Sequence, residues 1–190
     1  MVLIMKNKVI IFPTDTVYGI GASVFDVEGM NKIYDIKKRP HNKPLAVLCK
    51  DIDQINEIAY VSDIARALIE KYLPGALTLI LPARDNIKKT MNIDTVGVRI
   101  PNSKIALNIL AEMGPLATTS VNDSGETPMN EYSDICDKYA GIVDKIYDSN
   151  ETSSNISSTV IIVNENGIKL IREGQIRFCD LLNAVNCLSN

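Results

Sequence analysis

Short apolar runs that stop at proline, glycine or a polar loop most constrain how this chain can fold. Residues 9–12 form the first run, which is continuous and is followed by Pro13. A run of this length is typical of a strand buried on both faces, and proline ends it because proline cannot donate to a neighbouring strand. Later runs predict further strands at residues 45–48, 77–81, 95–100, 116–119, 160–163 and 168–172.

Segments with apolar residues at helical spacing lie between these runs. Asp26 is placed to cap a helix over residues 26–38. Further helices are predicted at residues 51–59, 62–72, 103–112, 132–139 and 180–188. The alternation of strands and helices predicts the α/β (α+β) fold class. The length of 190 residues fits one domain that covers residues 1–190.

The composition points to an aliphatic core and to locally held ligands. Tryptophan is absent and aromatic residues make up only 5% of the chain, so the core must be built from aliphatic side chains. The net charge of −3 argues against a general nucleic-acid binder, whose surface attracts phosphate broadly. A phosphate ligand would therefore need a local cluster of cations.

The cysteines and the hydropathy predict a cytoplasmic protein without a membrane segment. The four cysteines are widely spaced and form no C-x-x-C pair, which fits reduced thiols and suggests that they are small buried residues. No segment reaches the roughly 20 apolar residues of a membrane helix. The first six residues are too short an apolar stretch for a signal peptide.

Residues 14–21 follow the first strand and are predicted to form a loop. Gly19 and Gly21 suggest a dinucleotide-binding fingerprint, but Val24 stands where the third glycine belongs, which argues against it. The sequence also lacks the G-x-x-x-x-G-K-[ST] motif of P-loop nucleotidases. A tight turn and the close approach of a ligand explain the two glycines equally well.

The densest basic segment of this acidic chain lies between a predicted helix and a predicted strand. Its members are Lys37, Lys38, Arg39, His41 and Lys43. Cations at the end of a helix complement the helix dipole, and such runs are usually solvated. A binding role is the alternative, because loops at such junctions carry ligand contacts and an arginine can bind phosphate through two N–H groups.

Ser120 and Asn122 follow the strand predicted at residues 116–119. They are two residues apart, so at an extended strand end both would point to the same face, and Gly125 would let the next backbone turn. A loop that satisfies its own amides is the alternative. The single histidine has no recognisable arrangement of Cys, Ser or Asp around it, which gives little support to a hydrolase triad or a histidine metal site.

Taken in order, these segments resemble the motifs of the YrdC family of threonylcarbamoyl-adenylate synthases. Residues 13–21 resemble the opening motif of that family, and residues 37–45 resemble its K-x-R-P and P-L element. Residues 74–78 are similar to P-G-P-x-T, and residues 96–101 to V-R-x-P. Residues 119–125, which include Ser124 and Gly125, resemble T-S-A-N-x-S-G. Residues 158–160 and 171–174 resemble S-T-V and R-x-G.

The resemblance implies a YrdC-like fold, with a twisted mixed sheet flanked by helices around a large concave cavity. It implies a nucleotidyltransferase that converts L-threonine, bicarbonate and ATP, the ATP accompanied by Mg²⁺, into threonylcarbamoyl-AMP and pyrophosphate. The product would serve N6-threonylcarbamoyladenosine modification of tRNA through a downstream tRNA threonylcarbamoyl transferase, which makes tRNA at most an indirect partner. The chain resembles the short, single-domain form of the family.

Site residues follow from the resemblance position by position. Those implied to bind threonine are Thr16, Arg99, Thr118 and Ser158. Those implied to bind ATP are Lys37, Arg39, Lys43, Thr95, Ser120, Asn122 and Arg172. Of these, Lys37 and Arg39 are implied to be catalytic, and no residue is implied to bind a metal directly.

Three departures from the family motifs and two other functions must be weighed. Ala76 and Val121 replace the usual proline and alanine and are interpreted as packing changes, whereas Asn102 replaces a frequent histidine and leaves one contact open. A sister branch without synthase activity shares the fold. An RNA-binding module is the other alternative, although the acidic balance and the lack of an aromatic and basic stripe argue against it.

Overall fold

A nine-stranded mixed sheet forms the centre of the structure, a computed structural model that describes residues 6–123, 126–149, 151 and 153–187. The strands are β1 (Ile10–Phe12), β2 (Gly19–Ser23), β3 (Ala46–Leu48), β4 (Leu77–Pro82), β5 (Thr95–Arg99), β6 (Leu116–Ser120), β7 (Lys145–Ile146), β8 (Thr159–Asn164) and β9 (Gly167–Arg172). Their order across the sheet is β7-β1-β2-β6-β3-β5-β4-β8-β9. Parallel pairs (β1 with β7, β3 with β5, β4 with β8) are mixed with antiparallel ones. The predicted fold class is confirmed.

The helices connect these strands and begin where the sequence supplies a cap. They are α1 (Val27–Lys37), α2 (Ile52–Ile58), α3 (Asp63–Tyr72), α4 (Asp85–Met91), α5 (Lys104–Met113), α6 (Tyr132–Tyr139) and α7 (Phe178–Asn186). The side chain of Asp26 accepts a hydrogen bond from the Gly29 backbone N–H, which confirms the predicted cap of α1. Ser62 and Ser103 cap α3 and α5 in the same way.

The two faces of the central strands have different surroundings. Ala117, Val47, Val98 and Leu79 lie in the middle of β6, β3, β5 and β4, and each is fully buried in the larger hydrophobic core. Successive side chains of a strand point to opposite faces, so their neighbours along each strand occupy the other face. That second face carries the candidate site.

Helix α5 covers only part of this second face. Its buried residues Ala106, Ile109 and Leu110 pack with Phe12 of β1 and Leu116 of β6 in a smaller core cluster. Beyond this cluster, the same face of β3 to β6 carries mostly small or polar side chains, although the larger apolar Ile80 of β4 also lies there. The uncovered part of the face is therefore hollow.

The structure corrects the sequence prediction in three places. Residues 19–21 were predicted to lie in a loop, but they belong to β2, which is fully buried between β1 and β6. The reason is close packing: a Cβ atom on Gly19 or Gly21 would lie 2.8 or 2.9 Å from the side chain of Thr118. The sequence also did not predict α4, whose only buried residue is Ile87, or the two-residue strand β7.

Cysteine burial was predicted correctly for Cys49 alone. Cys49 is fully buried, Cys136 is half-buried, and Cys179 and Cys187 are exposed. The two exposed cysteines lie on or just after α7, where the neighbouring Leu181 and Val185 provide the buried face instead. Across the described ranges, no helix is long and apolar enough to cross a membrane.

Candidate active site

A cavity of about 420 Å³ occupies the hollow part of the sheet face. Its polar lining includes three arginines, which reach it from three different parts of the chain: Arg39, Arg99 and Arg172. Hydroxyl side chains line the rest of its polar wall: Thr14, Thr16, Thr78, Thr118, Thr119, Ser120, Ser157 and Ser158. A volume of this size lies within the range of small-molecule sites, roughly 300 to 1,000 Å³.

The floor of the cavity consists of small residues on adjacent strands. Ala46, Gly97 and Thr118 lie side by side on β3, β5 and β6, since Ala46 pairs with Thr118 and the next residue of β3 pairs with Val98. A Cβ atom on Gly97 would meet the Thr78 methyl group at 3.3 Å and the Ala46 Cβ at 3.6 Å. The hollow therefore exists because these strands present little side-chain volume to this face.

Arg99 is held rigidly at the end of β5. Its Nε donates to the Gly75 carbonyl oxygen at 2.8 Å, its Nη1 to the Thr16 hydroxyl at 2.8 Å and its Nη2 to the Asp15 carboxylate at 2.6 Å. Burial lowers the pKa of Arg99, and the neighbouring Asp15 opposes this effect. The guanidinium stays charged, because arginine is not deprotonated in proteins. Thr16 and Arg99, both predicted to bind threonine, are in direct contact.

The opposite wall is formed where β8 begins and β9 ends. Arg172 donates through Nη2 to the Ser158 carbonyl oxygen at 2.9 Å, and the Ser158 hydroxyl lies 2.9 Å from the Thr78 hydroxyl. Burial lowers the pKa of Arg172. This wall brings together residues predicted for different ligands, since Ser158 was assigned to threonine and Arg172 to ATP. Thr78, which was not predicted, joins them.

Arg39 lies at the mouth of the cavity in the loop after α1. It donates through Nε to the Lys43 carbonyl oxygen at 2.8 Å and through Nη2 to the Pro44 carbonyl oxygen at 3.1 Å. The same loop is supported by stacking of His41 on Tyr34, with ring centroids 4.3 Å apart. The guanidinium thus stiffens its own loop. Its remaining N–H groups can bind an anion in the cavity, which Arg39 lines.

Lys37 does not line the cavity but is buried behind the loop after β6. Only 1% of its surface is exposed. Its ammonium group donates to the Ser120 carbonyl oxygen, to the Asn122 carbonyl oxygen at 2.6 Å and to the Asn122 side-chain oxygen at 3.0 Å. These contacts use all three N–H groups of a lysine. Lys37 therefore holds the loop.

Asn122 is also fully engaged within this loop. Its side-chain oxygen accepts from Lys37 and, at 2.7 Å, from the Ser120 hydroxyl, while its amide nitrogen donates to the Asp123 and Glu126 carbonyl oxygens. Ser124 and Gly125, which complete the motif, lie outside the described residues. The structure thus gives Asn122 the self-satisfied loop role that the sequence left as an alternative.

We expect the buried ammonium of Lys37 to leave a signature in the pH dependence of stability. Burial, and to a lesser extent Arg39, lowers the pKa of Lys37 from 10.5 to about 8 in the folded protein. Between these two values the unfolded chain binds more protons, so stability must rise with pH there. Relative to Lys37→Met, the wild type should gain free energy of unfolding as pH increases from 8 to 10.5.

Urea denaturation of both proteins across this interval measures the effect, whose limiting slope is ~1.4 kcal/mol per pH unit. Lys71→Met is the matched control, because Lys71 is exposed on α3. A stability difference between wild type and Lys37→Met that stays constant from pH 8 to 10.5 would contradict a buried, titrating ammonium.

The predicted site residues therefore divide into two groups. Those that line the cavity are Thr16, Arg39, Arg99, Thr118, Ser120, Ser158 and Arg172. Lys37, Lys43, Thr95 and Asn122 are absent from its lining. Thr95 lies on the same strand face as Gly97 and Arg99, but it is exposed at the opposite end of β5. Lys43 is exposed and contributes its carbonyl oxygen to Arg39.

Comparison with known proteins identifies the family of this chain. The Sua5/YciO/YrdC family model, described by the words telomere recombination, matches residues 2–174. The chain belongs to this family. A Methanocaldococcus jannaschii family member is 36% identical over 173 residues, which cover 91% of this chain and 83% of that one. The threonylcarbamoyl-AMP synthase of Bacillus subtilis is 34% identical over 92% of this chain and 52% of its own length.

The fold of the family is also seen in a solved structure. Sua5 of Pyrococcus abyssi complexed with L-threonine has a TM-score of 0.87 and 31% identity, and the similarity covers 94% of this chain and 54% of that one. The chain thus spans about half the length of the Bacillus subtilis and Pyrococcus abyssi family members.

Some cavity residues were missed by the sequence analysis. Thr78 and Gly97 lie in motifs that were noted, but neither was assigned a role, and Ala46 and Ile80 were not singled out at all, although all four line the cavity. Their alternation with the buried residues Val47, Leu79 and Val98 carries the missing signal. That signal becomes readable only once one face of the sheet is known to be hollow.

Proposed function

We propose that this chain is a threonylcarbamoyl-AMP synthase. It converts L-threonine, bicarbonate and ATP into threonylcarbamoyl-AMP, pyrophosphate and water, the water being released when the threonine amine and bicarbonate form the carbamate, and the product serves N6-threonylcarbamoyladenosine modification of tRNA. The observation that carries the proposal is the meeting of Arg39, Arg99 and Arg172 with hydroxyl side chains in one cavity. Family membership and the name of the Bacillus subtilis relative support the same activity.

The end of the cavity near Arg99 suits the amino acid. A guanidinium held on one side by Thr16 and Asp15 can offer its remaining N–H groups to a carboxylate, which is a strong, charge-assisted contact. The hydroxyl groups of Thr118 and Ser158 line the same cavity. The complex of Pyrococcus abyssi Sua5 with L-threonine supports this choice of ligand.

Arg39 and Arg172 suit the phosphates of ATP. Both line the cavity and both keep N–H groups beyond those that bond to carbonyl oxygens. Ser120 adds a hydroxyl at the end of β6, where Lys37 fixes the backbone. We assign Lys37 and Asn122 to holding this loop, so their effect on ATP is indirect. Direct contacts of Lys43 and Thr95 with ATP remain predictions.

The reaction needs charge stabilisation more than a general base. A carbamate oxygen, already anionic, attacks the α-phosphorus of ATP, and the bond from that phosphorus to the bridging oxygen of the leaving pyrophosphate breaks. Arginines directed at the phosphates stabilise the charge that moves onto pyrophosphate. The single histidine is stacked on Tyr34 and does not line the cavity, which agrees with a mechanism that uses no histidine.

A magnesium ion would accompany ATP rather than reside on the protein. In the described part of the chain, no group of three or more His, Cys, Asp or Glu side chains could hold a metal ion. Mg²⁺ commonly binds through substrate phosphates and water, with few protein ligands. The ion would neutralise phosphate charge, and the arginines of the cavity would orient the phosphates.

The wider context of the reaction is also part of the proposal. The product would pass to a tRNA threonylcarbamoyl transferase, and this protein, which we place in the cytoplasm, would meet tRNA only indirectly. The sister-branch and RNA-binding alternatives have less support, because the Bacillus subtilis relative is named a threonylcarbamoyl-AMP synthase and the net charge is −3. Tight RNA binding that weakens steeply with added salt would favour the RNA-binding alternative.

We expect pyrophosphate release from ATP to require both threonine and bicarbonate. The physical reason is that the carbamate formed from these two compounds is the nucleophile, and neither compound alone supplies it. The measurement is pyrophosphate release with each substrate omitted in turn, together with mass-spectrometric detection of threonylcarbamoyl-AMP. Equal release without threonine would point to a plain nucleotidase and reject the synthase activity.

A further inference from the structure

We propose that Asp15 is a positioning residue for the amino-acid substrate, acting through Arg99. The inference rests on the proposed function, because it assumes that Arg99 binds the carboxylate of threonine. Asp15 does not line the cavity itself. It contacts instead the guanidinium of Arg99, which lines the cavity.

Asp15 joins three segments that surround the threonine end of the cavity. Its Oδ1 accepts from Arg99 Nη2 at 2.6 Å and from the Asn102 backbone N–H at 3.0 Å. Its backbone oxygen accepts from the Ser154 N–H at 3.0 Å. One residue thus ties the loop before β2 to the end of β5 and to the loop before β8, which carries Ser158.

The bonds of Arg99 define what Asp15 can control. An arginine has five N–H groups. Arg99 uses three of them, on Gly75, Thr16 and Asp15, which leaves two for a ligand. If the Asp15 contact is removed, the guanidinium loses one of the two side-chain acceptors that orient its terminal nitrogens.

The negative charge of Asp15 allows a positioning role to be distinguished from general support of the fold. The side chains of Arg99 and Asp15 are only 7% and 16% exposed, so solvent screens the pair weakly. Removal of the Asp15 charge makes the cavity more positive and leaves Arg39 and Arg172 in place. Without the charge-assisted bond from Asp15 the Arg99 guanidinium is oriented less well, so threonine binding should weaken although the cavity is more positive, whereas ATP binding should stay the same or tighten.

The test is calorimetric titration of L-threonine and, separately, of ATP with magnesium into the wild type and Asp15→Asn. Asparagine keeps the shape and one acceptor oxygen of aspartate but lacks the charge. We expect the threonine Kd to rise about tenfold or more and the ATP Kd not to rise. Asp15→Glu, which restores the charge, should recover part of the threonine affinity. Asp180→Asn is the control, since it removes an exposed ion pair with Arg177.

The remaining outcomes separate the inference from the proposed function. An unchanged threonine Kd in Asp15→Asn, when the wild type binds threonine, would overturn the inference alone. A parallel loss of threonine and ATP affinity, or the failure of both Asp15 variants to fold, would show a purely structural role and overturn it as well. Absence of threonine binding by the wild type would overturn the proposed function, and the inference with it.

Discussion

Replacement of Arg39 by alanine is expected to lower the rate of threonylcarbamoyl-AMP formation by about 100-fold or more, with a change in stability below ~1 kcal/mol. The guanidinium lines the cavity, and the hydrogen bonds that it makes to the described residues go to the Lys43 and Pro44 carbonyl oxygens of its own loop. Those oxygens lie in an exposed segment where water can replace the lost donors. Activity should therefore suffer far more than the fold.

Steady-state kinetics and urea denaturation of the same preparation measure the two effects. Arg39→Lys should recover only part of the rate, because an ammonium group lacks the planar pair of donors that matches a phosphate. Arg66→Ala on α3 is the matched control, since Arg66 is exposed and does not line the cavity. Near-normal turnover of Arg39→Ala would mean that the basic segment is a solvated helix end.

Gly174→Ala should both destabilise the protein, by about 2 to 4 kcal/mol, and abolish threonine binding. A Cβ atom at this position would lie 2.1 Å from the Ser157 carbonyl oxygen and 2.6 Å from the Ser158 carbonyl carbon. These are backbone atoms, so no side-chain rotation can relieve the overlap. The segment must move, and Ser157 and Ser158 both line the cavity.

Gly97→Ala provides the contrast in the same assays. Its added methyl group would meet the Thr78 methyl group at 3.3 Å and the Cβ and Cα atoms of Ala46 at 3.6 and 3.9 Å, distances much longer than those at Gly174. We expect a smaller loss of stability and a reduction in ligand affinity, because the methyl group enters the floor of the cavity. Equal and small stability losses in both variants would show that the chain around Gly174 yields more easily than its backbone contacts suggest.

The sequence predicted the fold well where local signals agree with burial. The run at residues 9–12 became β1, and Asp26 and Ser62 cap the helices they were expected to cap or begin. The prediction failed at β2, because glycine usually marks a turn and the need for small residues arises only from the packing of Thr118 against that strand. Helix α4 was missed because a single buried residue, Ile87, leaves almost no periodic pattern.

The site was predicted in part for a similar reason. Motif resemblance identified the three arginines of the cavity and some of its hydroxyl residues, namely Thr16, Thr118, Ser120 and Ser158. It could not reveal that Lys37 bonds to the loop after β6, because those bonds are made to carbonyl oxygens of Ser120 and Asn122, more than 80 positions along the chain. Contacts between distant backbone atoms leave no trace in local composition, so the Lys37 network and the Asp15 contact with Arg99 required the structure.

The alternation along β3, β4 and β5 has a consequence for how this protein can vary. Each of these strands gives one set of side chains to the hydrophobic core and the intervening set to the cavity. Insertion or deletion of one residue inside such a strand would exchange the two sets, placing Val98 in the cavity and Arg99 in the core, for example. Changes of chain length are therefore compatible with both folding and ligand binding only in the connecting loops. Adaptation of the cavity to a different ligand must proceed through substitutions at fixed strand length.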